Sequence, residues 1–129
     1  MNRFRSYMFV QGAAVLAVIL IFAVIADKPV ASLFASSSFL ISSFGILAFE
    51  IIKYKSQKSW VVVMATVVFI LLFIFPIITL RLLYWGENFN DIAVGGLSAK
   101  SLHQYSNYAF MLMLVSYFVE SFRAQKKAP

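Results

Sequence analysis

Four long stretches of this chain contain no Asp, Glu, Lys or Arg: residues 6–26, 29–49, 59–80 and 101–119, which are 21, 21, 22 and 19 residues long. About 20 apolar residues, each rising roughly 1.5 Å in a helix, cover a hydrocarbon core of roughly 30 Å. The pattern therefore predicts four membrane-spanning helices at about 7–26, 31–52, 59–84 and 102–122, with a loop over 85–101. Residues 1–129 form a single transmembrane domain on this reading, and the fold class is all-α, an integral membrane four-helix bundle. The third stretch, "VVVMATVVFILLFIFPIITL", is rich in β-branched residues. It lacks period-2 alternation and is too long for one barrel strand, whereas a helix satisfies its own backbone in lipid.

Composition supports the same solvent. The hydrophobic fraction is 62% and the charged fraction 12%, against roughly 45–50% and 25% in ordinary soluble domains. The sparse charges are also unevenly placed. Threaded through four crossings, eight of the 11 Lys and Arg residues fall on one side: Arg3, Arg5, Lys53, Lys55, Lys58, Arg123, Lys126 and Lys127. Lys28, Arg81 and Lys100 fall on the other. Cations mark the cytoplasmic side, so both termini are expected to be cytoplasmic in the plasma (inner) membrane, with the 85–101 loop outside. Trp60 and Tyr84–Trp85 stand at the two ends of the third helix, where an aromatic belt belongs. The net charge of +6 then reads as orientation and contact with anionic lipid. Nucleic acid is not an expected partner, because no segment makes an exposed basic domain. An alternative for residues 1–26 is a cleaved secretory signal, although the apolar run is long for one. There is no cysteine, which removes disulfide, thiolate-metal and thiol chemistry.

Each predicted helix has a distinguishing feature. The second carries Ala35, Ser38, Ser42 and Gly45 at steps of three and four, a small-residue face on which another helix backbone can pack closely. The third contains Pro76, which frees the Leu72 carbonyl and is expected to break the helix. Arg81 follows about one turn later and is expected to reach for the outer headgroups. Two acids, Glu50 and Glu120, lie near the inner boundary. Their i,i+3 neighbours Lys53 and Arg123 predict interfacial ion pairs, and proton handling is the alternative for intramembrane carboxylates.

The outer loop holds the remaining candidate chemistry. Arg81, Glu87, Asp91, His103 and Asn107 form a candidate polar cluster, with Ser101 expected to cap the last helix. A single His with two separated carboxylates is a thin metal site. Bis-His haem ligation within one chain is impossible with one His. Ser98 or Ser101 with His103 and Asp91 supplies hydrolase residue types, but no nucleophile motif surrounds them. The "VGGL" stretch matches no phosphate-binding pattern. No cofactor, metal or catalytic residue is assigned. The expected function is that of a non-enzymatic accessory or packing subunit of a larger membrane complex, with the bilayer and other membrane subunits, or a second copy of the chain, as partners. A small oligomeric transporter or channel lined by Ser38 and Ser42 is the alternative, and an outer-leaflet enzyme using His103 is the third reading.

Overall fold

The computed structural model describes residues 2–127; Met1, Ala128 and Pro129, which include the last two positions of the expected basic tail, lie outside the described residues. Among the described residues the chain forms four long helices: α1 (Arg3–Val24), α2 (Lys28–Lys53), α3 (Trp60–Leu83) and α4 (Ala99–Lys127). The fold is all-helical apart from one short hairpin in the loop between α3 and α4. α1 packs on α2 and α4, and α3 packs on the same two helices.

Single polar residues set the helix starts, which is why several lie a few residues from the edges of the uncharged windows. Asn2 accepts from the Arg5 N–H and starts α1 at Arg3, while Asp27 accepts from the Val30 N–H and starts α2 at Lys28. Pro29 fits that first turn, where a missing N–H costs nothing. Ser59 caps α3 through the Val62 N–H. For α4 the cap is Ser98 rather than the expected Ser101: the Ser101 N–H donates to the Ser98 hydroxyl at 3.1 Å, and the helix begins at Ala99.

Two wide turns with i→i−5 bonding interrupt the helices, at Phe49–Lys53 in α2 and Ile70–Ile74 in α3. The second ends directly before Pro76. A π-turn is one of the recognised ways to seat a residue that cannot donate to the ladder. It relieves the proline at the position where the sequence predicts a break.

The outer loop is more ordered than a plain 17-residue connection. A 3₁₀ turn at Phe89–Asp91 leads into an antiparallel hairpin in which Ala93 faces Ser98 and Val94 faces Leu97. Its tip is Gly95–Gly96, both at positive φ (+59° and +83°), the geometry of a tight primed turn that glycine adopts without strain. Phe89, Ile92 and Ala99 then bury against Ile77 and Leu80 of α3.

α1, α2 and α3 are long and apolar enough to cross a membrane, which marks a membrane protein. α4 is the longest helix, at 29 residues. Both of its ends are polar, with His103, Gln104 and Asn107 in the first turns and Glu120, Arg123 and Gln125 in the last, so three helices rather than four are long and apolar enough to cross. The distribution of side chains is inverted relative to a water-soluble fold. Ile41 is 72% exposed and Leu112 70%, whereas Gln11, Ser43, Glu50 and Thr66 are fully buried. In water each such exposed aliphatic would forgo about 1.5–3 kcal/mol of burial; in lipid it forgoes nothing.

Gly96→Val should lower the thermal midpoint in detergent, because a β-branched residue at that φ is strained by at least about 1–2 kcal/mol. Gly12→Ala, in α1 with open space where the new methyl goes, should leave the midpoint unchanged or raise it. Equal behaviour of the two variants would contradict the hairpin geometry.

Candidate functional site

The polar residues gather in two places, one at each end of the helices. At the end where α1 begins and α4 finishes, the Asn2 amide donates to the Ser121 carbonyl at 3.2 Å. Beside this contact lies the Glu50 carboxylate, fully buried. Its Oε1 accepts from Arg3 Nε and from the Tyr7 hydroxyl at 2.9 Å. Its Oε2 accepts from the Ser59 N–H at 2.7 Å and from Arg3 Nη2 at 3.3 Å. A carboxylate offers about four acceptor sites, so Glu50 is saturated. The arginine is fixed in turn. Its Nη2 donates to the Gln57 carbonyl at 2.7 Å, and its guanidinium lies between the rings of Phe4 and Tyr54 at 4.4 and 4.2 Å.

The expected Glu50–Lys53 pair does not form. Glu50 continues the buried face of α2 that runs through Ser43 and Ile46, while Lys53 falls in the wide turn and lies over Phe49 and Tyr54 instead. Glu120 does meet Arg123, at 3.0 Å, and also accepts from the Ser59 hydroxyl at 2.8 Å. Ser59 thereby links both acids to the start of α3.

Further in, Gln11 binds two hydroxyls of α2: its amide donates to Ser43 at 3.2 Å and its carbonyl accepts from Ser42 at 2.9 Å. Across the same interior Thr66 and Tyr117 share a hydrogen bond of 2.9 Å. Each of the four helices thus contributes to an internal polar column. The column ends at three phenylalanines, Phe39, Phe69 and Phe110, whose ring centroids lie 5.3–6.4 Å apart.

Those rings also floor the second place, a cavity of about 460 Å³ in the half of the helices away from Glu50, walled by all four helices. Its polar lining consists of Ser32, Ser36, Ser106, Arg81, His103 and Asn107. Two of the serines are occupied locally: Ser36 donates to the Ser32 carbonyl at 2.9 Å and Ser106 to the His103 carbonyl at 2.6 Å. Arg81 is not occupied. Its Nε is buried without a hydrogen-bond partner, the one such side-chain atom among the described residues. Rather than extending to the headgroups, the guanidinium sits 4.0 Å from the Phe89 ring centroid, folded under the outer loop.

Of the expected outer cluster, Arg81, His103 and Asn107 share this cavity, whereas Glu87 and Asp91 are not among its walls. Among the described residues Arg81 has no ion pair and no three metal-ligating side chains come together. The small-residue face of α2 is split. Ala35 is buried, Ser38 and Ser42 are partly covered, and Gly45 is exposed, because the buried face runs through Ala35, Phe39, Ser43, Ile46 and Glu50. Gly45 and Glu50 are five residues apart, roughly 140° around the helix. Turning Gly45 inward would turn the carboxylate out.

Arg3→Gln should destabilise the protein by about 3–5 kcal/mol, the cost of stripping a buried carboxylate of its cation. The double variant Arg3→Gln with Glu50→Gln should lose less than the two single losses added, as read from unfolding in detergent. Strict additivity would contradict the pairing.

No known protein family, curated protein or solved structure matches the chain, so the functional conclusion rests on this geometry.

Proposed function

We propose that the chain is a non-enzymatic, bilayer-embedded four-helix bundle that serves as an accessory or packing subunit of a larger assembly in the plasma membrane, with both termini cytoplasmic. The charge pattern supports the orientation. Arg3, Arg5, Lys53, Lys55, Lys58, Arg123 and Lys126 belong to the helix ends that meet around Glu50 and Ser59, the end expected inside. The fourth crossing is supported by where α4 keeps its polar groups. Tyr117, Ser106 and Ser121 are buried, and His103 and Asn107 line the outer cavity, while Leu112, Met111 and Val115 face outward.

Two features favour packing over transport or catalysis. The Glu50 carboxylate, the Gln11 amide and the Ser43, Thr66 and Tyr117 hydroxyls are paired within the chain, and Ser36, Ser37 and Ser38 donate back to carbonyls four residues earlier. The observation that carries the reading is the open face beside them: a groove of about 550 Å³ between α1 and α2, bordered by Val10, Ile41, Ser42 and Gly45. A side chain built at Gly45 meets nothing within 4 Å. A glycine that no neighbour in its own chain requires, on a small-residue helix face, is suited to the close approach of another membrane helix.

The chain purified in mild detergent should therefore run in a complex larger than its own 14.6 kDa. Gly45→Leu should release it from that complex without lowering its thermal midpoint. A native chain that is a clean monomer, with nothing co-purifying, would overturn the proposal.

A further inference from the structure

The packing role leaves the cavity beside Arg81 unexplained. Arg81 is half-buried, with its Nε cut off from solvent in an apolar wall, and a cation so placed normally has a carboxylate against it. The means are close at hand in sequence, since Glu87 and Asp91 follow within ten residues of Arg81. The fold nevertheless pairs neither with it. Instead, Phe89 and Ile92 pin the loop onto Ile77 and Leu80, the Phe89 ring covers one face of the guanidinium, and Nε is left buried and unbonded at the cavity wall. The edge of a guanidinium is a planar donor array suited to two oxygens of one anion. The cavity below is otherwise lined by Val15, Val18, Phe73 and Ile77 and closed by the phenylalanine floor. Its volume falls in the range of small-molecule sites, roughly 300–1,000 Å³.

We infer that this cavity binds a single-chain anionic amphiphile, with its oxyanion head on Arg81 and its hydrocarbon chain against the apolar walls. The charge selects the head: a cationic head is repelled by the guanidinium, and a neutral oxygen accepts from it without the charge assistance that an oxyanion adds. The walls select the tail, because a small free anion leaves most of the apolar volume unfilled. His103 and Asn107 line the cavity and are themselves exposed. They mark its open side on α4 and offer further donors to the head. This assignment holds whether or not the chain has a protein partner.

The chemistry is shared by a fatty carboxylate and by the phosphate of a lysolipid, and the probes separate them. The full-length chain in phosphatidylcholine nanodiscs is titrated with radiolabelled laurate and, separately, dodecyl phosphate. Dodecanol, dodecyltrimethylammonium and acetate serve as competitors. Saturable binding of either anion near one per chain, resisted by all three competitors, is expected; which anion binds more tightly identifies the head. Equal competition by dodecanol, or no saturable binding of either anion, overturns the inference, and this comparison needs no variant. Arg81→Gln should weaken anion binding by about tenfold to a hundredfold, the loss of a charge-assisted pair. Ala35→Phe fills the cavity from α2, keeps the charge, and should also abolish binding. Undiminished binding in either folded variant would contradict the site.

Discussion

Hydrocarbon accepts no hydrogen bonds and solvates no charge, so a polar side chain between lipid-facing helices must find its partner within the protein. The Glu50 carboxylate is where this constraint acts most strongly. Its two oxygens collect Arg3 and Tyr7 from α1 and the backbone of Ser59 from the start of α3, so one buried charge ties three helices together. Ser59 passes the tie to Glu120 on α4. The orientation of α2 follows. With Glu50 held inward, Ser43 comes to face Gln11, Ile46 enters the core, and Gly45 is carried to the outside.

The sequence revealed the helices far better than their faces. Lengths of charge-free chain report directly on what the bilayer tolerates, and they mark the segments that become α1, α2 and α3. Helix starts were less legible because each depends on one capping side chain, such as Asn2 or Ser98, that looks like any other polar loop residue. Which face of α2 turns inward is not legible from its small residues. Small residues mark surfaces where helices approach closely, but they do not say whether the approaching helix belongs to the same chain. A buried ion pair across 47 residues of sequence decided the matter. Gln11 does carry a signal: it is the sole carboxamide in the first uncharged stretch, and a lone amide in lipid demands partners.

The outer site was legible only as a group of residue types. Arg81, His103 and Asn107 do converge, but their register depends on the loop folding back through Phe89 and Ile92, which no spacing rule foretells. The two halves of the interior consequently differ in kind. The interior around Glu50 is polar and paired; the half beyond it holds a mostly apolar cavity with one unpaired cation. The phenylalanine floor divides them. On the proposed reading, the inner half builds the subunit, the groove beside α2 receives a neighbour, and the outer half is free to accept a ligand.

The whole account depends on α4 crossing the bilayer despite its polar first turns, so that Glu50 and the outer cavity lie on opposite sides. The chain has no cysteine, which allows single positions to be tested in an unaltered background. Lys55→Cys, Glu87→Cys and Lys126→Cys are treated in intact cells with a membrane-impermeant maleimide, before and after permeabilisation. The account predicts labelling of the Glu87 position in intact cells, with the Lys55 and Lys126 positions labelled only after permeabilisation. Labelling of the Glu87 and Lys126 positions from the same side would show that α4 does not cross, and would contradict it.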